Sequence, residues 1–307
     1  MKTTTSVNVF RNGILFFVFF GVMLLSVQKA KAAVEIFVSI PPQKWLSDRI
    51  GGQHVTTGVL IPKGQDPHTF EPTPKQVAAL GRSQLYFTLG LEFEEQIITK
   101  IRQSSSKLQI VNSTAGIEKL DMAHHHHEEE SAHDVDAGKE EQHHDGLDPH
   151  VWLSPVNLKI MAAQMAKAMI ATDPQNSGDY IANLDKLSRE LNVLDLNIAA
   201  QLKPYAGATF FVFHPSFGYF AKRYGLNQEA VEVEGKLPTP KQLSDLITEA
   251  KADGVKVIFV QPQFDSRSGE VIATAIGGKV VPLDPLAEDV KGNLETIANE
   301  ISTALTQ

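Results

Sequence analysis

The chain has 307 residues and not one cysteine. That absence excludes disulfide staples and thiolate ligands, so any metal held here is held by imidazole and carboxylate. Basic residues are outnumbered, 28 Lys and Arg against 36 Asp and Glu, for a formal net charge of −8. Such a balance disfavours nucleic acid and anionic lipid surfaces and suits a cationic ligand. The HExxH, GxSxG and P-loop patterns of metalloproteases, serine hydrolases and nucleotide hydrolases are missing. The glycines of GEVIATAIGGK (269–279) fit neither nucleotide fingerprint. These absences count against an enzyme. No stretch rich in Gly, Ser or Pro marks a flexible linker, and only one long apolar run is present.

That run, ILFFVFFGVMLLSV (Ile14–Val27), follows Lys2 and Arg11 and precedes Ala30-Lys31-Ala32. A positive start, a short apolar core and small residues at alternate positions predict a secretory signal over 1–32, cleaved after Ala32. No cysteine is present to carry a lipid anchor, so the expectation is a soluble protein released into a bacterial periplasm. Removing Lys2, Arg11, Lys29 and Lys31 leaves 24 basic residues against 36 acidic, a mature net charge of −12.

The remaining chain alternates short apolar runs with amphipathic segments. VEIFVSI (34–40), HVTTGVLIP (54–62), TFFVFH (209–214) and VKVIFVQP (255–262) read as strands. TPKQVAALGRS (73–83), SPVNLKIMAAQMAKAMI (154–170) and TPKQLSDLITEAKADG (239–254) read as helices. This βα rhythm predicts an α/β fold of two similar lobes, each a mostly parallel sheet flanked by helices. The boundaries fall at 33–178 for the first lobe and 204–307 for the second. A long helix over 179–203, with Leu184, Leu187, Leu191, Leu194 and Leu202 on one stripe, joins them rigidly. PTPKQ occurs at 72–76 and again at 238–242, each time as a helix start with Thr as N-cap and Pro at the first helical position.

Eight of the 11 histidines crowd into residues 123–150. His124, His125, His126, His127, His133, His143 and His144 are interleaved with acids in a segment without hydrophobic period, which reads as a surface loop over 123–147. A disordered loop must lose conformational entropy to gather its ligands, so these residues are expected to form weak auxiliary metal sites. The better ligand candidates lie elsewhere. His68 in QDPHTFEPTP, His150 in LDPHVWLSP, His214 in VFHPSFGYF and Asp284 in PLDPLAED each follow a strand or precede a helix. Open α/β sheets place their ligands at such positions. Three imidazoles and a carboxylate match the tetrahedral preference of Zn²⁺.

On DPHTFEPTP, DPHVWLSP, HPSFGYFAKRYGL and PLDPLA, and on the acidic histidine-rich segment before the second DPH, the whole mature chain resembles the metal-binding receptors of bacterial ABC importers. Among them it is most similar to the zinc-type, ZnuA-like members of periplasmic solute-binding protein family 9. The resemblance implies a C-clamp with metal in the cleft, His68 and His150 from the first lobe, and His214 and Asp284 from the second. It also implies zinc ion and a membrane permease as partners, a monomer, and no enzymatic role. Manganese-carrying relatives usually have a glutamate where this chain has His214, so zinc is favoured. Some zinc-type members leave the fourth position to water or a neighbouring carboxylate, and Asp66 and Glu71 are the substitutes for Asp284 here. The alternatives are a manganese or iron receptor of the same family and a zinc-dependent adhesin or zinc buffer without transport.

Overall fold

Alternate burial along VEIFV builds β1 (Val34–Val38), with Val34, Ile36 and Val38 in the core. A computed structural model describes residues 1–2, 33–104, 107–122, 146–232, 238–264 and 267–306. After β1 come α1 (Pro41–Gly51), β2 (Val55–Val59), α2 (Pro74–Leu80), β3 (Leu85–Thr88), α3 (Glu92–Ser104) and β4 (Gln109–Asn112). The four strands pair in parallel in the order β2-β1-β3-β4. Two helices follow, α4 (Pro155–Thr172) and α5 (Ser177–Leu202). The second half consists of β5 (Thr209–Val212), α6 (Gly218–Tyr224), β6 (Asn227–Ala230), α7 (Pro240–Ala252), β7 (Val257–Val260), α8 (Arg267–Ile276), β8 (Lys279–Pro282) and α9 (Val290–Ala304). Its strands are again parallel, in the order β6-β5-β7-β8. Relative to sequence order the two sheets have the same pattern, and the βα rhythm predicts two similar lobes with parallel sheets.

Strands covered on both faces are apolar at successive positions. In β5 and β7 this divides the core. Phe210, Val212, Val257 and Phe259 join a cluster that runs from the first sheet through α4 and α5 to α9. Phe211, Phe213, Ile258 and Val260 point the other way, against Ile272, Ala273 and Ile276 of α8. The two lobes therefore share one continuous apolar cluster, and the second lobe adds a smaller one on its far face.

The joining helix α5 starts at Ser177, two residues before the expected position, and places Asp179 in its first turn, where the helix dipole favours an acid. Leu187, Leu191, Leu194, Ile198 and Leu202 are buried, and Leu184 is partly so. This stripe packs on α1 and α4 of the first lobe and on α9 of the second. Both copies of PTPKQ form capping boxes. Thr73 accepts from Gln76 N and Thr239 from Gln242 N, while each glutamine side chain returns to its cap's backbone N–H.

Candidate metal centre

His68 lies on the segment between β2 and α2. Asp66 folds that segment into a tight turn, its Oδ1 accepting from His68 N at 2.9 Å and its Oδ2 from Thr69 Oγ1 at 3.1 Å. The second DPH repeats the turn: His150 N donates to Asp148 Oδ1 at 2.8 Å. The same oxygen also lies 2.8 Å from His150 Nδ1. A short 3₁₀ turn, Val151–Leu153, then leads into α4, and the Trp152 indole donates to Pro285 O at 2.7 Å in the second lobe.

His214 sits two residues beyond β5. Gln261, just past β7, clamps its backbone from both sides: His214 N donates to Gln261 Oε1 at 3.1 Å, and Gln261 Nε2 donates to His214 O at 2.6 Å. The His214 ring stacks on Phe264 with centroids 4.8 Å apart, and its Nδ1 lies 2.5 Å from Glu232 Oε2.

The three imidazoles converge. Ring centroids are 5.8 Å apart for His68 and His150, 4.8 Å for His68 and His214, and 5.3 Å for His150 and His214. One nitrogen from each falls within 4.8 Å of the others. His150 and His214 are buried, whereas His68 is exposed at the rim. His214 Nε2 is buried without a hydrogen-bond partner, the state expected of a nitrogen reserved for a ligand. Carboxylates on Nδ1 of His150 and His214 fix the protonated nitrogen there, which leaves the Nε2 lone pairs free for a ligand.

Burial lowers the pKa of both His68 and His214 below the ordinary imidazole value, and the proximity of His214 lowers His68 further. For His214, Glu232 opposes the shift and His150 adds to it. Both rings are therefore neutral at neutral pH, the form that binds metal.

Of the four residues expected as ligands, the fold brings together His68, His150 and His214. Asp284 lies outside that group. Its Oδ1 accepts from Gln263 Nε2 at 2.7 Å and from Leu286 N at 2.9 Å. Asp66 is engaged in its turn, and Glu71 lines a separate cavity on the α3 side of His68. His54 is remote from the centre and pairs with Asp179 at 2.7 Å. The loop histidines at 124–127, 133, 143 and 144 lie outside the described residues. The sequence reading passed over Asp148 and Glu232. The repetition of Asp two residues before His in both DPH motifs was a usable sign for Asp148, whereas nothing local distinguishes Glu232 from its acidic neighbours.

Comparison with known proteins shows the family. The chain belongs to the ZnuA family, described as zinc-uptake complex component A, periplasmic, whose profile matches residues 36–305. The high-affinity zinc uptake system protein ZnuA of Yersinia pestis is 27% identical over 288 residues, covering 90% of each chain. A crystal structure of a ZnuA is 38% identical with a TM-score of 0.79, covering 89% of this chain and 99% of that one. A ZnuA deletion mutant with zinc bound is also 38% identical, with a TM-score of 0.78 over 89% of this chain and 98% of its own.

Proposed function

We propose that this protein captures Zn²⁺ between His68, His150 and His214 and delivers it to the membrane permease of an ABC importer. The observation that carries the reading is the convergence of three imidazole nitrogens within 4.8 Å, one of them buried and unpartnered, in a chain without a single thiol. Nitrogen donors of this kind suit zinc better than manganese, which prefers oxygen-rich octahedral sites. Membership of a zinc-uptake family supports the same metal.

The protein works in the periplasm after removal of residues 1–32, as a monomer, with 33–178 as the first lobe, 179–203 as the joining helix and 204–307 as the second lobe. It is a binding protein and not an enzyme. The loop histidines collect zinc weakly, because their acidic neighbours raise the local cation concentration.

Competition titration of the metal-free protein with zinc tests this directly. One tight site is expected. His150→Ala and His214→Ala should each weaken it by at least about tenfold, since even partners behind the ligands contribute ten- to hundredfold. Deleting residues 124–144 should remove weak binding and leave the tight event in place. If the tight event disappears with the loop, the loop is the site. If the parent prefers manganese, the zinc assignment fails.

A further inference from the structure

Gln263 and Asp284 follow neighbouring strand ends, three residues beyond β7 and two beyond β8. Gln263 lines the same cavity as His68, His150 and His214. Asp284 is held firmly beside it. Its Oδ1 takes hydrogen bonds from Gln263 Nε2 and Leu286 N, and its backbone oxygen accepts from Asn293 Nδ2 at 2.7 Å. An ionised carboxylate only accepts, so the Gln263 amide must turn its nitrogen to Asp284 and its carbonyl away. That carbonyl oxygen, Oε1, is buried and has no hydrogen-bond partner. A buried acceptor left unpaired is costly and uncommon, so it points to a donor that arrives with the ligand.

The chemistry of the site identifies the donor. Three imidazoles leave zinc one open position, which water fills in open zinc sites, and zinc polarises that water into a strong hydrogen-bond donor. Resting on the zinc reading above, we infer that Gln263 Oε1 accepts a hydrogen bond from the water completing zinc's coordination. Asp284 is then a positioning residue that fixes the amide's orientation, and not a ligand. The fourth bond is to an exchangeable water, held by an amide that never touches the metal.

The experiment compares Asp284→Asn, Asp284→Leu, Gln263→Leu and the Asp284→Leu/Gln263→Leu double variant. Zinc competition titration and X-ray absorption of the zinc-loaded proteins are the readouts, with thermal melting as the folding control. Asparagine keeps an acceptor oxygen for Gln263 Nε2 and Leu286 N, so Asp284→Asn should bind zinc within about threefold of the parent. It should also keep three imidazoles and one oxygen around the metal. Gln263→Leu should weaken zinc about tenfold, the scale of a partner behind the ligands, and the double variant should be no weaker.

Loss of an oxygen neighbour in Asp284→Asn, with affinity falling as far as in Asp284→Leu, would make Asp284 a ligand and overturn the inference. Parental affinity in Gln263→Leu would overturn it equally. A parent protein that binds no zinc at all would instead strike at the reading of the site itself, and this inference with it.

Discussion

In the proposed zinc site, carboxylates behind the histidines set where the rings point. Asp148 aims the His150 ring and Glu232 aims His214, each through Nδ1. Gly218, at the start of α6, lets the second lobe approach closely, since a Cβ built there would lie 2.8 Å from Asp148 Oδ2. Gly218→Ala is therefore expected to displace Asp148 and, through it, His150. Zinc affinity should fall by roughly ten- to hundredfold, as for Glu232→Ala, while the melting temperature of the metal-free protein changes little by comparison. Titration alongside calorimetry checks both.

Protonation acts at the same scale. The folded-state pKa values of His68 and His214 lie below the ordinary value of 6.5, through desolvation at both rings and the proximity of His214 to His68. The unfolded chain therefore takes up these protons first as pH falls. The stability tied to these rings is present in full above about pH 6.5 and is lost as pH drops through their lowered values. Between pH 7 and 5.5 these two rings should lower the melting temperature of the metal-free protein, against an opposing contribution from Glu229, which burial raises to about 7. In His214→Ala that lowering should shrink, and an unchanged pH response would remove His214 as a source.

Among the elements, the helix starts offer the cleanest test. Thr73 and Thr239 satisfy orphan N–H groups at the first turns of α2 and α7 in the same way. Replacing either by alanine should cost about 1 kcal/mol. The two caps belong to different lobes, so the double variant should lose about the sum, which urea unfolding would measure. The joining helix α5 is a different kind of element. Its buried leucine stripe touches helices of both lobes along 26 residues, so it acts as a shared wall and not as a hinge. Extended linkers could absorb large dihedral changes, but a packed helix resists them.

For the whole molecule, the shared cluster from β1 to α9 has two consequences. Melting of the metal-free protein should be one cooperative transition and not two. Zinc at a hundred times its dissociation constant should then stabilise it by about 2.7 kcal/mol, shifting the transition as one. Two separable transitions in calorimetry would show that the lobes hold independent cores. The hydrogen bonds from Trp152 to Pro285 O and from Tyr219 to Asp148 O already tie the lobes on both sides of His150. Metal binding should therefore tilt the lobes slightly and draw in the rim around His68. Small-angle scattering should show no fall of several ångströms in the radius of gyration on adding zinc.

What the sequence determined by itself was whatever short-range pattern encodes. The βα rhythm follows from runs such as TFFV and VIFV set between amphipathic segments, and both PTPKQ helix starts follow from a cap and a proline a residue apart. His68 and His150 were legible in DPH turns, and His214 at the end of a strand, because each feature spans only a few residues. The tertiary structure alone decided which of these side chains meet. Glu232 reaches His214 across 18 residues, Gln263 reaches Asp284 across 21, and Gly218 approaches Asp148 from the other lobe. No periodicity or local motif records such pairs, because they exist only once two sheets and a shared helix have set their strand ends face to face. Asp284 shows the difference most clearly. Its place at a strand end could be read from the sequence, but its carboxylate is bound by Gln263 and Leu286, and the competition for that oxygen arises only in the folded chain.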